Sequence, residues 1–96
     1  MTIEFLWDPK KDQTNRKKHR ISFEEAKTVF FDDNARVIHD PDHSISEERF
    51  IILGMSITVK LLIVIHCYLE NESIIRIISA RKANKKEQKQ YWEFLK

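Results

Sequence analysis

Hydrophobic residues recur along the chain with two spacings, which predict strands and helices. Alternating or continuous apolar runs rich in β-branched residues predict five strands, at residues 3–7, 35–39, 48–55, 59–68 and 73–80. Apolar residues at helical spacing follow Ser22 and predict a helix that packs on the sheet: Phe23, Ala26, Val29 and Phe30. The predicted order, β-α-α-β-β-β-β-α, is an α+β fold with a mostly antiparallel sheet and helices packed against it.

Polar residues at three positions predict where the helices begin. Asp8, which precedes a proline, is typical of an N-terminal cap, and a polar surface helix is expected over residues 9–18. Ser22 and Glu25 have the spacing of a capping box, in which each side chain bonds to the backbone amide of the other residue. Asn84 is the predicted cap of a last helix that runs to the C-terminus.

Residues 50–69 form an apolar stretch long enough for a membrane-spanning helix. Lys60 lies at its centre, however, where insertion would cost roughly 2.5–3.5 kcal/mol. The stretch is also rich in β-branched residues and is interrupted by Gly54-Met55-Ser56. These features favour two buried strands joined by a turn near residues 56–60, and no association with a membrane is expected.

The length of 96 residues predicts a single domain, residues 1–96, with room for a core but not for a deep cofactor pocket. A single glycine nearly excludes folds that hold nucleotide cofactors in glycine loops, and no cofactor is expected. The lone Cys67 cannot form an internal disulfide, and no signal peptide is evident. A cytoplasmic location is therefore expected.

The net charge of +2 conceals a strong asymmetry along the chain. Residues 1–20 carry a net charge of +3, residues 21–50 a net −5, residues 51–80 none, and residues 81–96 a net +4. Two basic ends around an acidic middle indicate an anionic partner, which the total charge does not reveal.

Two arginines lie in the otherwise apolar run Ile74-Ile75-Arg76-Ile77-Ile78-Ser79-Ala80-Arg81. Strict alternation predicts that Arg76 and Arg81 point to opposite faces of the sheet, and a short preceding turn would pair Arg76 with Cys67. A permanent charge beside buried surface needs an anionic partner. For Arg76 that partner is either a carboxylate, such as Glu24 or Glu48, or a phosphate. For Arg81, at the end of the strand, phosphate is favoured.

The last helix combines lysines with aromatic residues, a pattern that suits RNA because cations neutralise phosphates and rings stack on bases. The candidate RNA-binding residues are Lys17, Lys82, Lys85, Lys86 and Lys89. The alternative for this helix is a solvated lysine face. Tyr91 could donate a proton or belong to the core, and His19 could act as a general base or cap the first helix.

The other histidines indicate structural roles. His66, in a predicted buried strand, is expected to be a hydrogen-bonded core residue. The segment His39-Asp40-Pro41-Asp42-His43 superficially resembles a metal-binding loop. Its spacing does not bring the ligands together on a helix or strand, so no metal site is predicted.

Several short motifs occur in order along nearly the whole chain. They are Trp7-Asp8-Pro9, Asn15, Lys18-His19, Phe23-Glu24-Glu25-Ala26, Val29-Phe30, His43-Ser44, Glu48-Arg49, Gly54-Met55-Ser56 and Ile75-Arg76-Ile77-Ile78-Ser79-Ala80-Arg81. The ordered set resembles the BrnT family, the toxins of type II toxin–antitoxin modules. Two loops depart from the family pattern, since Asp32-Asp33 stands where Asp-Pro is common and Val59-Lys60-Leu61 replaces a typical Gly-Arg-Leu turn.

The resemblance implies a fold similar to that of RelE-type ribonucleases, with helices packed on an antiparallel sheet. It also implies metal-independent RNA cleavage that halts translation. The implied partner is a BrnA-like antitoxin with a ribbon-helix-helix domain, and the complex would contact operator DNA only through that antitoxin.

The residues and the resemblance together lead to a hypothesis of RNA cleavage through attack of the ribose 2′-hydroxyl on the adjacent phosphate. The residues assigned to catalysis are Arg81, Arg76, Arg49, His19, Lys18 and Tyr91. Arg81 is the first choice for stabilising the phosphate, His19 or Lys18 would supply the base, and Tyr91 would orient or donate. The competing hypothesis is a non-catalytic RNA- or protein-binding module.

Overall fold

The elements of the chain follow the predicted order in the computed structural model, which describes residues 3–40 and 47–95. They are β1 (Glu4–Leu6), α1 (Pro9–His19), α2 (Phe23–Lys27) continued by a 3-10 turn (Thr28–Phe31), β2 (Arg36–Asp40), β3 (Arg49–Met55), β4 (Leu61–Leu69), β5 (Ile74–Lys82) and α3 (Lys85–Glu93). The apolar stretch at residues 50–69 forms β3, β4 and their connecting turn, as predicted. Within the described ranges, no helix is both long and apolar enough to cross a membrane.

Five strands form one sheet in the order β1-β5-β4-β3-β2. The pairs β2–β3, β3–β4 and β4–β5 are antiparallel, whereas the short β1 pairs with β5 in parallel. The predicted pairing of Arg76 with Cys67 is confirmed. The β4–β5 loop has four residues, 70–73, and its first three adopt positive φ angles.

A β-bulge interrupts the pairing of β4 with β5. Ile77 pairs with His66, whereas Ser79 pairs with Ile65, so that Ile78 is an extra residue in β5. A bulge of this kind reverses the alternation of side chains beyond it, because two residues of one strand oppose one residue of the other.

The bulge places Arg76 and Arg81 on the same face of the sheet. Their partners on β4 are Cys67 and Ile63, which are four residues apart and therefore point to the same side. The prediction that the two arginines lie on opposite faces is wrong, because it assumed uninterrupted alternation along β5.

Apolar side chains form one cluster on each face of the sheet. The larger cluster lies under α2 and its 3-10 turn and contains Ile21, Phe23, Ala26, Val29, Ile52, Leu62, Val64, Ile77 and Ala80. The smaller cluster lies under α3 and contains Leu53, Ile63, Ala83 and Tyr91. Because α3 is short, residues 3–40 and 47–95 leave part of this second face uncovered beside the cluster, and Arg49 and Arg81 lie there.

The predicted helix caps are present, with one difference at Glu25. Asp8 and Asn84 cap α1 and α3, and Asn84 forms a complete capping box. The Ser22 hydroxyl accepts the Glu25 N–H at 3.1 Å, but the Glu25 carboxylate does not return the bond. It accepts hydrogen bonds from the hydroxyls of Ser56 and Thr58, which join α2 to the β3–β4 turn. The reciprocal half of the predicted box is therefore wrong.

Asn15, the buried residue of the polar helix α1, attaches that helix to the edge of β5. Its side-chain amide donates to the carbonyl oxygens of Ile21 and Ala80 at 2.8 and 2.9 Å, and its side-chain oxygen accepts the Ala80 N–H at 3.1 Å. The side chain of Asn15 thus hydrogen-bonds to both the N–H and the C=O of Ala80, as the backbone of a neighbouring strand would. This bonding continues the edge where β1 has already ended.

Candidate active site

Three arginines occupy the uncovered part of the sheet. Arg49 begins β3, while Arg76 and Arg81 lie on β5 on either side of the bulge. Each guanidinium contacts a carboxylate, and each is partly exposed to solvent. The sequence predicted these three residues as phosphate-binding candidates, and the structure places all three on one face.

The guanidinium of Arg81 is held by Glu87, in the first turn of α3. Its two terminal nitrogens donate to the two carboxylate oxygens at 2.8 and 2.9 Å. The hydrogen bonds from Arg81 lower the pKa of the Glu87 carboxyl, which is therefore ionised at neutral pH. The same carboxylate accepts the backbone N–H of Asn84 at 2.9 Å. One carboxylate thus fixes both the arginine and the start of α3.

Arg76 and Arg49 share a second carboxylate, that of Glu47. The Arg76 guanidinium donates to Glu47 at 2.5 Å, and Arg49 lies 3.7 Å from the same oxygen. The ion pair confirms one of the two partners predicted for Arg76, a carboxylate. The examples predicted, Glu24 and Glu48, are wrong, because the pairing of Arg76 with Cys67 directs its side chain to Glu47, just before β3.

A cavity of about 460 Å³ lies between Arg49 and Arg81. Isoleucines of β3 and β4 form its apolar floor, and Ser79 and Glu87 contribute polar groups to its walls. We refer to this space as the arginine cavity; its lining residues are Asp40, Arg49, Ile51, Ile63, Ile65, Ser79, Arg81 and Glu87. Two guanidinium groups, balanced by the carboxylates of Asp40 and Glu87, line this open space, whose shape suits a polymer better than a small buried ligand.

Lys18 and His19 lie outside the arginine cavity, in a neighbouring one of about 310 Å³ along α1. Both cavities are lined by Ser79, so they meet at the edge of β5. The predicted base candidates therefore line a cavity that shares Ser79 with the cavity of Arg49 and Arg81. No direct contact joins them to Arg49, Arg76 or Arg81 within the described part of the chain.

Tyr91 belongs to the apolar cluster under α3 and does not line the arginine cavity. Its hydroxyl donates to Asp32 at 2.7 Å, and burial together with that hydrogen bond raises the pKa of Tyr91 to about 12. From the sequence, Tyr91 could donate a proton or belong to the core. The structure places it in the core, and we do not assign it a part in proton transfer.

The predicted RNA-binding lysines lie apart from the arginine cavity. Lys17, Lys85, Lys86 and Lys89 are exposed on α1 and α3, and they line neither the arginine cavity nor the one along α1. Lys82 lines a separate cavity beside the β3–β4 turn, together with Trp92.

His66 is a core residue, as predicted. It is fully buried, with ring nitrogens 3.3 Å from the Val64 carbonyl and 3.2 Å from the Tyr68 hydroxyl, and burial lowers its pKa to about 4. Most of the superficial metal loop, residues 41–43, lies outside the described residues. Across residues 3–40 and 47–95, no group of three or more His, Cys, Asp or Glu side chains is placed to hold a metal ion.

Sequence reasoning missed the acidic residues of the site, Glu47 and Glu87, and the shared wall residue Ser79. Glu87 could have been found, because it stands three residues after Asn84 at the position that completes a capping box. Glu47 carries no local signal, because it reaches Arg76 only through the pairing of β3 with β4 and of β4 with β5.

The chain was compared with known families and structures. The model of a family described as the ribonuclease toxin BrnT of type II toxin–antitoxin systems matches residues 7–87. No curated protein sequence matches significantly. The fold is similar to the crystal structure of the Brucella abortus ribonuclease toxin BrnT, with a TM-score of 0.67 and 23% identity over 88% of this chain and 100% of that one. This likeness confirms the α+β fold, and the match over residues 7–87 shows that the chain belongs to the BrnT family of ribonuclease toxins of type II toxin–antitoxin systems.

Proposed function

We propose that this toxin cleaves single-stranded RNA in the arginine cavity by attack of a ribose 2′-hydroxyl on the adjacent phosphate. The observation that carries the proposal is the placement of Arg49, Arg76 and Arg81 on one face of the sheet. Arg49 and Arg81 line the arginine cavity, and Arg76 shares the carboxylate of Glu47 with Arg49. Guanidinium groups bind phosphate oxygens through paired hydrogen bonds, and their charge opposes the negative charge that accumulates in the transition state.

The reaction balances without a co-reactant. The 2′-oxygen forms a bond to phosphorus, the bond from phosphorus to the 5′-oxygen breaks, and the products are a 2′,3′-cyclic phosphate and a 5′-hydroxyl. A base takes the proton of the 2′-hydroxyl, and an acid returns one to the departing 5′-oxygen. Arg81 is the leading candidate for stabilising the phosphate, because its guanidinium lines the cavity, and a phosphate that accepts from both terminal nitrogens would replace the Glu87 carboxylate there.

His19 and Lys18 remain the candidates for proton transfer. Both lie on the last turn of α1, and their cavity meets the arginine cavity at Ser79. An RNA strand that crosses β5 at Ser79 would bring a ribose close to these side chains. The arginines would supply the positive charge that a metal ion provides in other nucleases, which supports a metal-independent reaction.

The test is incubation of the purified protein with single-stranded RNA in the presence of EDTA. Cleavage with 2′,3′-cyclic phosphate ends supports the proposed reaction, and binding without cleavage supports the non-catalytic module. Replacement of the 2′-hydroxyl by a 2′-O-methyl group should abolish cleavage, because it removes the nucleophile. Cleavage that requires an added divalent metal would refute the metal-independent mechanism.

We further propose that a BrnA-like antitoxin with a ribbon-helix-helix domain neutralises the toxin by covering the basic residues around the cavities. An antitoxin that does so would bring carboxylates to residues 10–20 and 81–89, which carry most of the positive charge. Co-purification over a range of salt concentrations tests this, since salt weakens contacts between exposed charges. A complex whose affinity does not change with salt would contradict it.

A further inference from the structure

The second cavity, along α1, has no part in the reaction beyond its base candidates. It is lined by Lys10, Lys11, Lys18 and His19 on α1, and by Ile78 and Ser79 on β5. We call it the α1 groove. We propose that the α1 groove binds the phosphates of the RNA that flank the cleaved one; this inference rests on the proposed function.

Charge distinguishes the α1 groove from the arginine cavity. No acidic side chain lines the groove, and the three lysines make no ion pair within residues 3–40 and 47–95. By contrast, Glu87 holds Arg81, which lines the arginine cavity, and Glu47 holds Arg76. Unpaired cations that converge on one groove attract an anion without first breaking an existing ion pair.

All four cations line the same groove, and their spacing shows how far along α1 they extend. Lys10 and Lys18 are eight residues apart and Lys11 and His19 are eight residues apart, so each pair is separated by about two turns, or about 12 Å along the axis. A row of this length runs beside an extended strand and can contact more than one of its phosphates.

Two features shape the groove, one on α1 and one on β5. Asn15 fixes α1 to Ala80 with all of its side-chain hydrogen-bonding groups pointed at backbone, so that it spaces the helix from the sheet and takes no ligand itself. The bulge directs the extra residue, Ile78, into the groove, where it provides an apolar surface beside the cations. An apolar surface next to phosphate-binding groups suits the base of an unpaired nucleotide.

The groove also continues the arginine cavity. Ser79 lines both, so a strand whose scissile phosphate lies at Arg81 can extend past Ser79 into the α1 groove. Three of the predicted RNA-binding lysines, Lys85, Lys86 and Lys89, lie on α3 and line neither the arginine cavity nor the α1 groove, and Lys89 already pairs with Glu93. Position therefore favours α1 over α3 as the surface that contacts flanking RNA.

The first experiment compares two variants that remove the same charge from the two basic ends of the chain. Binding of a 2′-O-methyl RNA decamer, which cannot be cleaved, is measured by fluorescence anisotropy at several salt concentrations. We expect K10Q/K11Q to bind about tenfold more weakly and to reduce the salt slope by about 1.4, the value for two phosphate contacts of a single strand. K85Q/K86Q should change the affinity less than threefold, because it alters only long-range attraction. Equal effects of the two variants, or a larger effect of K85Q/K86Q, would overturn the assignment of the groove.

The second experiment measures cleavage of RNAs of different lengths by the same variants. For K10Q/K11Q the loss of kcat/KM should grow with length, from less than threefold for a dinucleotide to about tenfold for a decamer, and it should appear mainly in KM. A loss that is the same at both lengths would indicate a general structural defect and would refute the groove.

The two experiments distinguish failure of the proposed ribonuclease mechanism from failure of the proposed RNA binding in the α1 groove. A wild-type protein that binds RNA through the α1 groove but never cleaves it refutes the ribonuclease mechanism and supports the groove. If the wild type and both lysine variants cleave RNA equally well, the groove alone is refuted.

Discussion

Arg76 and Arg81 point to the same face of β5 although five positions separate them along the strand, because Ile78 is an extra residue between them. In a regular strand an odd separation would have put one of the two guanidinium groups among the core residues under α2. The bulge therefore brings both arginines to the uncovered face, where Glu47 and Glu87 hold them.

Replacing Arg81 by alanine should lower the rate of RNA cleavage by about 10²–10³, the usual loss when one fixed charge donor is removed. The measurement is kcat on a fluorescent RNA in the presence of EDTA, with thermal unfolding to verify that the protein is folded. Arg20→Ala is the matched control, since Arg20 is exposed just after α1 and lines neither cavity. Full activity of the Arg81 variant would exclude Arg81 from the phosphate site.

Replacing Asn15 by aspartate should destabilise the fold by about 3 kcal/mol, because a carboxylate would face the carbonyl oxygens of Ile21 and Ala80 where an amide now donates. For a chain of this size the loss corresponds to a fall in Tm of about 10–20 °C. Gln13→Glu makes the same chemical change at an exposed position of α1 and should leave Tm nearly unchanged. Similar Tm values for the two variants would mean that the bonds to Ala80 contribute little.

Replacing Val59 by glycine should stabilise the protein. Val59 has a φ of 62°, a left-handed conformation that is unfavourable for a β-branched residue, and its side chain is exposed, so little packing is lost. The expected gain is about 0.5–1 kcal/mol in the free energy of unfolding, measured by denaturant titration. Ile57→Gly is the control, because Ile57 is an exposed β-branched residue of the same turn without a positive φ. Ile57→Gly should lower the free energy of unfolding, and a change in the same direction for both variants would contradict the argument.

Stability should fall as the pH is lowered from about 7 to 4, and His66 should account for part of the fall. Burial lowers the pKa of His66 from 6.5 to about 4 in the folded state, so in this window the unfolded chain binds the proton more readily. Protonation of the unfolded state removes about 3 kcal/mol of stability by pH 4.

The measurement is the free energy of unfolding against pH for the wild type and for His66→Gln. The variant should show a shallower dependence between pH 6.5 and 4, whatever its absolute stability, because it lacks the titrating group. Gln13→Asn, which changes no titrating group, is the control and should retain the wild-type slope. An unchanged slope in the His66 variant would show that other groups cause the pH dependence.

Local signals in the sequence predicted much of the fold. Ser22 and Asn84 cap their helices as expected, because a capping bond joins residues three positions apart. The pairing of Arg76 with Cys67 followed from the position of the β4–β5 connection, although that connection has four residues rather than two. The motif order identified the family, which the match over residues 7–87 confirms.

The rest depends on contacts between distant parts of the chain. No local pattern marks Ile78 as the extra residue of a bulge, since neither glycine nor proline is near it and it continues a run of isoleucines, which favour strands. The Glu25 carboxylate prefers the hydroxyls of Ser56 and Thr58 to its own helix, and no capping rule anticipates a turn about 30 residues away. The meeting of the two cavities at Ser79 likewise follows from how α1 docks on β5.

With the role in phosphate binding that we propose for Arg81, the carboxylate of Glu87 would link the stability of α3 to substrate binding. One of its oxygens accepts both from Arg81, at 2.8 Å, and from the backbone of Asn84, at 2.9 Å. Binding at the arginine and formation of the first helical turn are therefore linked equilibria, and linkage is reciprocal. A phosphate that draws Arg81 away from Glu87 changes the stability of that turn, and whatever stabilises the turn changes the affinity of Arg81 for phosphate by the same free energy.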